Sequence, residues 1–412
     1  MAAKKIWIFN HYAITPDMSG GTRHYDLAKE LVKYGYDVTI FASGFDHMTK
    51  RYVKIIPEKK FRIESYDKVK FVWINTIPYY GNDFNRIKNM LSYAINVIRI
   101  VGKFERPDII IGSSMHPFAV IAAWWLSKKF GSRFFFEVRD LWPQTAVDMK
   151  ALKPSSPIAR LLYVWEQFMY KKAEKIIVLL PNAADYIAKK GISKDKIVWI
   201  PNGVDLSRYD DMNNENMDME ILKIFDEYKD KFKVVYTGAH GPANGLDMVI
   251  DAAKLMEEKD DSIQFLLIGD GPEKQNLIDM AKTFSLSNIC FLDPVPKLYM
   301  PHVLKKADLL LHCLKPMDVF KHGISPNKMF DYLASGKPII MSVNASNNIV
   351  EDARAGISVK SGDPEELVNG ILKLKNMSED ERRAMGLNGY EYVKKYFSTA
   401  VLAEKMIKEL NL

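Results

Sequence analysis

A chain of 412 residues with 48% hydrophobic and 26% charged side chains reads as a soluble globular protein, and its length suggests two domains of ~200 residues. No apolar run nears the ~20 residues of a spanning helix, Phe118–Leu126 being too short, and Met1-Ala-Ala-Lys-Lys enters a strand directly, without a signal-peptide pattern. The net charge of +7 hides an asymmetry: residues 1–200 hold 32 Lys and Arg against 18 Asp and Glu, residues 201–412 hold 26 against 33.

Lys5–Asn10 contains a buried first strand, Ile6–Phe9. A loop, His11–Ser19, leads to Gly20-Gly21-Thr22. Thr22 is expected to cap a helix carrying Leu27, Leu31 and Val32, with Gly35 ending it before the strand Asp37–Ala42. The two glycines form a turn or admit a ligand close to the backbone. They are not the G-x-G-x-x-G fingerprint, and no acidic residue is placed for a ribose after the second strand, so a dinucleotide is disfavoured.

Phe71–Asn75 is a further strand, and Tyr79–Arg86 opens a helix through Ile100. Asp108–Ile111 leads to Gly112-Ser-Ser-Met-His116-Pro; His116 is a candidate sugar contact, with helix capping as the competing role, and His11 has the same status. The helix Phe118–Lys129 is apolar on most faces. Phe134–Glu137 ends at Arg139-Asp-Leu-Trp-Pro143, the edge at which ligands bind open parallel sheets. An aromatic amphipathic helix, Arg160–Tyr170, and the strands Ile176–Leu180 and Ile197–Ile200 complete the half.

Pro201-Asn-Gly-Val-Asp205 reads as a turn, and Asp210–Lys231 as an acidic linker plus one helix. The β/α rhythm then repeats through Val234–Thr237, Phe265–Ile268, Cys290–Leu292, Leu309–His312, Ile339–Val343 and Gly356–Val359. Glycine-bearing turns follow the first two, Gly238–Gly245 and Gly269-Asp-Gly-Pro272. Helices Pro364–Leu374, Glu379–Phe397 and Thr399–Leu410 end the chain. Cys290 and Cys313 fall in apolar stretches and are expected to be buried thiols in a reducing compartment. His and Cys show no metal-ligand spacing.

The stretch Lys321–Ile340 reads as loop, helix and buried strand. Ser325 is the expected N-cap with Pro326 at the first helical position, and Gly336 the left-handed stop. Such a helix start offers unpaired N–H groups and a partial positive charge to a phosphate. Lys328 adds a cation, and Asp331 lies deeper on the helix.

Ser19-Gly-Gly-Thr22, Arg139-Asp-Leu-Trp-Pro143, Ile200-Pro-Asn-Gly-Val-Asp205, Gly269-Asp-Gly-Pro272 and Ser325–Pro338 occur in this order over nearly the whole chain. The set resembles retaining glycosyltransferases of the GT-B fold, family 4, and within them the bacterial surface-polysaccharide branch that includes fucosamine transferases. The resemblance implies an α/β fold of two Rossmann-like domains facing across a cleft. These are an acceptor domain at 1–200, a nucleotide-sugar domain at 201–390 and a C-terminal helix at 391–412 crossing back onto the first.

It further implies that Ser325, Pro326, Asn327 and Lys328 seat the donor diphosphate and that Asp331 takes the ribose hydroxyls. Gly20 and Gly21 would close over the donor, the turn Pro294–Lys297, with Val295 and Pro296, would face the base, and Gly238, His240, Asn244 and Asp270 would line the donor turns. Arg139 and Asp140 would lie near the transferred sugar, joined as catalytic candidates by His116 and Lys328. No metal or other cofactor is implied.

Three departures stand out. Gly323 occupies the place of the family's sugar-contacting glutamate, and the ribose ligand is Asp rather than Glu. The usual Arg and Lys after the first C-domain strand are replaced around His240 and Asn244, leaving Lys328, Lys321, His240 and Arg139 to neutralise the leaving diphosphate. With no carboxylate placed as nucleophile, the expectation is front-face transfer of a sugar, from a UDP-N-acetylated hexosamine or deoxyhexosamine, to a lipid-linked glycan.

The basic half and the aromatic helices around Arg86–Ile100, Ala123–Lys129 and Arg160–Lys172 suit an anionic membrane surface, hence a cytoplasmic protein on the inner face of the cell membrane. Core packing of those aromatics is the competing reading. No nucleic-acid recognition motif accompanies the charge. A GT-B sugar-nucleotide epimerase and a non-catalytic nucleotide-sugar-binding partner remain as alternatives.

Overall fold

The structure, a computed structural model, describes residues 3–81, 83–114, 116–210 and 220–412. Residues 211–219 of the linker-plus-helix stretch expected at 210–231 lie outside the described residues, and its helix is Glu220–Glu227. The chain divides into two compact units, one of residues 1–15, 22–201 and 402–412, the other of residues 16–21 and 202–401.

The first unit is built on an eight-stranded sheet. Its spatial order is Ile197–Trp199, Lys175–Val178, Arg133–Val138, Ile109–Ser113, Lys5–Phe9, Asp37–Ser43, Val69–Ile74 and Phe61–Tyr66. All neighbours are parallel except the last pair. The antiparallel edge strand Phe61–Tyr66 escapes sequence reading because its exposed positions are Arg62, Ile63 and Ser65 and its pattern is weak. The central strands are hydrophobic runs, as expected where helices cover both faces.

One face packs Trp7, Phe9, Phe41 and Phe136 under the helices Phe84–Ile100, Pro117–Phe130 and Pro157–Lys172. The other packs Ile6, Ile40 and Phe71 under Arg23–Lys33, together with Leu402, Met406 and Leu410 from the C-terminal helix. The return to this unit therefore begins at residue 402. The expected return segment from 391 starts instead inside the helix Glu379–Tyr396 of the second unit.

The second unit holds a six-stranded parallel sheet in the order Ile289–Leu292, Ile263–Ile268, Phe232–Thr237, Leu309–Cys313, Ile339–Ser342 and Gly356–Val359. Cys313 is buried, whereas Cys290 is only half-buried, because its strand is at the sheet edge.

Strand order locates the crevices. In the first sheet Lys5–Phe9 has Asp37–Ser43 on one side and Ile109–Ser113 on the other. In the second, Phe232–Thr237 lies between Ile263–Ile268 and Leu309–Cys313. The order in which the chain winds across each parallel sheet reverses between Lys5–Phe9 and Ile109–Ser113 and between Phe232–Thr237 and Leu309–Cys313, and the loops at the carboxyl ends of these pairs diverge to leave room for a ligand. Asn10, His11, Ser114 and His116 follow the first pair; Gly238 and the loop into the helix Asn327–Ala334 follow the second.

Candidate active site

At the second unit's crevice the helix Asn327–Ala334 begins one residue later than the sequence suggested. Pro326 occupies the N-cap position, and no side chain caps the first turn. The Ser325 hydroxyl is engaged elsewhere: it accepts from the Asn202 backbone N–H at 2.9 Å, while the Asn202 amide donates to the Ser325 carbonyl. On the other side, Asn347 accepts from the Ile324 N–H at 2.8 Å and donates to the Ile324 carbonyl at 3.1 Å. Two asparagines thus hold the approach to the helix, and its first N–H groups have no preceding carbonyl within the helix. Sequence reading missed both; Asn202 was visible only as part of a turn.

Lys328 turns back over the first strand. Its ammonium lies 3.8 Å from the Tyr236 ring centroid and 2.5 Å from the Tyr236 hydroxyl, which itself donates to Ala239 O at 2.7 Å. Enclosure of the amine pushes its pKa down to about 7. Gly238, at φ +129°, makes this possible: a Cβ there would sit 2.7 Å from Lys328 Cε and Nζ. Gly269 packs on the same turn, since its Cβ would lie 1.9 Å from Gly238 O.

His240 is fully buried in that turn, and neither ring nitrogen has a protein partner among the described residues. Burial, reinforced by the Lys274 and Lys328 charges, pushes its pKa down to about 4. With no diphosphate bound, His240 is therefore an uncharged imidazole at neutral pH. Asp270 acts through its backbone, accepting from His240 N at 2.8 Å, with its exposed carboxylate on Gly271 N. Asn244 ends a short 3-10 turn, half-buried. Gly323 closes another at φ +90°, a conformation in which a glutamate would be strained.

Asp331 is buried and has both oxygens engaged, one by Tyr209 OH at 3.0 Å and the other by Lys297 Nζ. Lys297 follows Val295, which is buried, and Pro296, which is half-buried, so the turn expected to face the base is tied to the residue expected to hold the ribose. Residues 16–21 join this site. Met18 O accepts from Lys297 N at 3.0 Å, Pro16 O from Leu298 N at 2.9 Å, and a Cβ on Gly21 would meet Asn327 Nδ2 at 2.3 Å. Gly20, at φ +133°, shapes the same loop.

The first unit's crevice is a separate polar cluster. His116 caps the helix Pro117–Phe130 by accepting from Ala119 N at 3.3 Å, so its proton is on Nε2, which faces His11 Nδ1 at 2.9 Å. Burial pushes His116 down to about 3 and His11 well below the usual imidazole range. His116 is thus a buried capping group with both nitrogens occupied, which corrects its assignment as a sugar contact.

Below the pair, Glu137 accepts from Arg23 Nε at 2.9 Å, His24 Nε2 at 2.6 Å and Ser113 Oγ at 2.5 Å. Burial alone would raise the Glu137 pKa, but His24 and Arg23 hold it well below the carboxylate range. Arg139 donates its backbone N–H to Ser114 Oγ at 2.9 Å, and its Nε has no protein partner among the described residues. Asp140 is exposed beside it, before the cis Trp142–Pro143 bond.

Residues 19–208 match the model of Glycosyltransferase Family 4, and residues 231–376 match that of Glycosyl transferases group 1. Each half of the chain is thus similar to a glycosyltransferase domain model, and its fold of two Rossmann-like α/β domains is the GT-B fold. The uncharacterized glycosyltransferase MJ1069 of Methanocaldococcus jannaschii is 22% identical over 245 residues, 59% of this chain and 58% of that protein. WcaI of Escherichia coli, assigned by its name to colanic acid biosynthesis as a glycosyl transferase, is 22% identical over 236 residues, 56% of this chain and 57% of its own.

The chain therefore spans somewhat under three fifths of the length of these two relatives. Among solved structures, sucrose-phosphate synthase of Thermosynechococcus elongatus superposes with a TM-score of 0.74 at 16% identity, over 99% of this chain and 98% of that one. Anabaena HepE in complex with UDP-glucose gives 0.69 at 14% identity, over 99% of each chain. At these identities the GT-B likeness is one of fold.

Proposed function

We propose that this GT-B protein transfers a sugar, with retained anomeric configuration, from a UDP-sugar to a lipid-linked glycan in surface-polysaccharide or glycoprotein glycan synthesis. The observation that carries the reading is the convergence of the uncapped helix start at Asn327, the Lys328 ammonium and the Gly238 turn at one crevice of the second unit. Fixed N–H groups and a cation there would stabilise the charge that grows on the leaving diphosphate, with little reorganisation. In this reading Lys328 is the cation, His240 a neutral hydrogen-bonding group, and no metal takes part. The donor sugar is an N-acetylated hexosamine or deoxyhexosamine, by the motif resemblance alone.

The acceptor is assigned to the first unit, where Arg139 and Asp140 directly follow the strand Arg133–Val138. Transfer on one face, with the leaving phosphate accepting the acceptor's proton, needs no carboxylate nucleophile. HepE, a fold relative, was solved with UDP-glucose, which supports a UDP-sugar as the first donor to try.

Among the described residues no helix is long and apolar enough to cross a membrane. The helix Pro157–Lys172 nevertheless exposes Ile158, Leu161, Val164 and Phe168, and Phe84–Ile100 exposes Phe84, Ile87, Leu91 and Ile95. With the basic excess of residues 1–200, these faces support peripheral association with the anionic inner face of the cell membrane.

The test is incubation of the purified protein with UDP-sugars and polyprenyl-diphosphate-linked sugars. UDP release dependent on the acceptor, and an α-linked product from an α-linked donor by NMR, are expected. Acceptor-independent isomerisation of the donor, or a trapped covalent glycosyl-enzyme, would sink the reading or its mechanism respectively.

A further inference from the structure

Three neighbouring parallel strands of the first sheet send their following segments over one group of side chains. Tyr12 follows Lys5–Phe9, and Tyr79 follows Val69–Ile74. His47 and Lys50 lie on the short antiparallel hairpin of Phe45–Asp46 and Arg51–Tyr52, after Asp37–Ser43. Arg86 stands in the first turn of the helix Phe84–Ile100.

Lys50 donates to His47 Nδ1 at 3.2 Å and lies 4.3 Å from the Tyr79 ring centroid, while the Tyr79 hydroxyl bonds the same nitrogen. His47 therefore carries its proton on Nε2, for which no acceptor appears among the described residues. Tyr12 stacks on His11 with centroids 4.5 Å apart and approaches the His47 ring at 5.2 Å. Its hydroxyl is buried with no partner at hydrogen-bond distance among the described residues. The Arg86 charge bears on Tyr12, His47 and Tyr79, which puts it in the same group.

Charge is unbalanced here. No carboxylate pairs with Lys50 among the described residues, and Asp46, the acid of the hairpin, accepts from Met48 N, Thr49 N and the Thr49 hydroxyl instead. Burial and then the Arg86 charge lower the Lys50 pKa, as expected of two cations held close together. An anion with several oxygens would relieve that repulsion and satisfy the buried hydroxyl. Around the group the same segments expose Met48, Tyr80, Phe84 and Ile87. A cationic seat inside an apolar rim suits a lipid phosphate better than a free sugar. Lys50 and Arg86 match the two charges of a diphosphate diester, whereas a phospholipid phosphodiester carries one.

We propose that Lys50 and Arg86, with the Tyr12 hydroxyl and His47 Nε2–H, bind the diphosphate of an isoprenoid-diphosphate-linked acceptor whose chain leaves across that apolar rim. The inference rests on the lipid-linked acceptor reading above and places that acceptor's anionic group in the first unit.

Titration calorimetry of the full chain in mild detergent, with farnesyl diphosphate, farnesyl phosphate and farnesol and separately with UDP, is the test. The wild type is expected to bind farnesyl diphosphate about tenfold more tightly than farnesyl phosphate, and farnesol least. Lys50→Met and Arg86→Met should each weaken farnesyl diphosphate about tenfold, as for a lost hydrogen bond between charged partners, and leave UDP affinity unchanged. Tyr12→Phe removes only the unpartnered hydroxyl, so it should keep the melting temperature and weaken the diphosphate about fivefold.

Melting curves establish that each variant is folded. Folded charge variants with wild-type affinity overturn the site; where they fail to fold, an unchanged affinity in Tyr12→Phe does so. Equal affinity for farnesyl diphosphate, farnesyl phosphate and phosphatidylglycerol vesicles would mark a general lipid surface and overturn the diphosphate assignment. A wild type that binds UDP but not farnesyl diphosphate overturns this inference and leaves the donor reading standing. One that binds farnesyl diphosphate but not UDP does the reverse.

Discussion

Asn202 grips Ser325 twice, its backbone N–H donating to the Ser325 hydroxyl at 2.9 Å and its amide donating to the Ser325 carbonyl. The residue lies 123 positions earlier in the chain, yet it orients the peptide that leads into the helix Asn327–Ala334. Asn202→Ala keeps the backbone bond and deletes the amide, leaving the Ser325 carbonyl without that donor. A stability loss of about 1 kcal/mol is expected from one hydrogen bond, with a larger relative loss of nucleotide affinity. Denaturant melts and calorimetry with UDP check the pair; unchanged affinity would mean that the helix start needs no such support.

The contact between Gly21 and Asn327 offers a rescue experiment. A methyl group on Gly21 would fall 2.3 Å from Asn327 Nδ2, the far end of a side chain that can move. Gly21→Ala should weaken nucleotide binding by displacing the loop or the amide, and Gly21→Ala/Asn327→Ala should recover part of it by making room. No recovery in the double variant would show that loop position does not matter to the site.

Lys328, with its pKa lowered to about 7, links donor binding to pH. A diphosphate favours the charged amine, so affinity should be highest below pH 7. It should fall by up to about tenfold per unit as the free protein loses this proton above pH 7. Lys328→Met should bind more weakly and lose this dependence. For folding the sign is opposite: the unfolded amine, near 10.4, holds more protons than the folded one between about pH 7 and 10, so this group makes stability rise with pH across that window. Calorimetry between pH 6 and 9 reads the first effect; an affinity flat with pH in the wild type would remove Lys328 from the phosphate site.

The buried His11–His116 pair sets an acid limit on the first unit. Unfolded histidine titrates near 6.5, whereas His116 is pushed down to about 3 and His11 well below its ordinary value. The unfolded chain therefore binds more protons as pH falls below 6.5, and stability is lost from there downward. His116→Asn keeps an N-cap acceptor for the helix Pro117–Phe130. It should lower stability modestly at pH 7 yet shrink the loss between pH 7 and 5 by about 2 kcal/mol, the linkage expected of one such histidine. Calorimetric melts at both pH values give the comparison.

Leu161 and Val164 stand exposed on the helix Pro157–Lys172. Leu161→Glu/Val164→Glu should leave the melting temperature nearly unchanged, because neither side chain packs in the core, while reducing co-sedimentation with anionic vesicles several-fold. Vesicle binding equal to the wild type would assign these faces no membrane role.

Much of the fold could be read from the chain itself. Buried parallel strands are continuous apolar runs, and Gly336 stops the helix Asn327–Ala334 at φ +70°, so hydrophobic runs and local backbone preference were enough to mark most elements. Residue types at strand ends likewise pointed to Lys328, Asp331 and the two glycine turns.

Other features depended on where distant segments meet. That Ser325 answers to Asn202 rather than to its own helix, that Asp331 is held by Lys297 and Tyr209, and that residues 16–21 bond to Lys297 and Leu298 are long-range pairings, invisible to local pattern. Burial decided the protonation of His240 and His116, because the desolvation that strips their charge comes from neighbours throughout each unit. The sequence by itself determined which elements form and which chemical groups are present. The tertiary structure decided which of those groups remain charged and which are already bound by the protein, because desolvation and hydrogen-bond partners come from segments far apart in the chain.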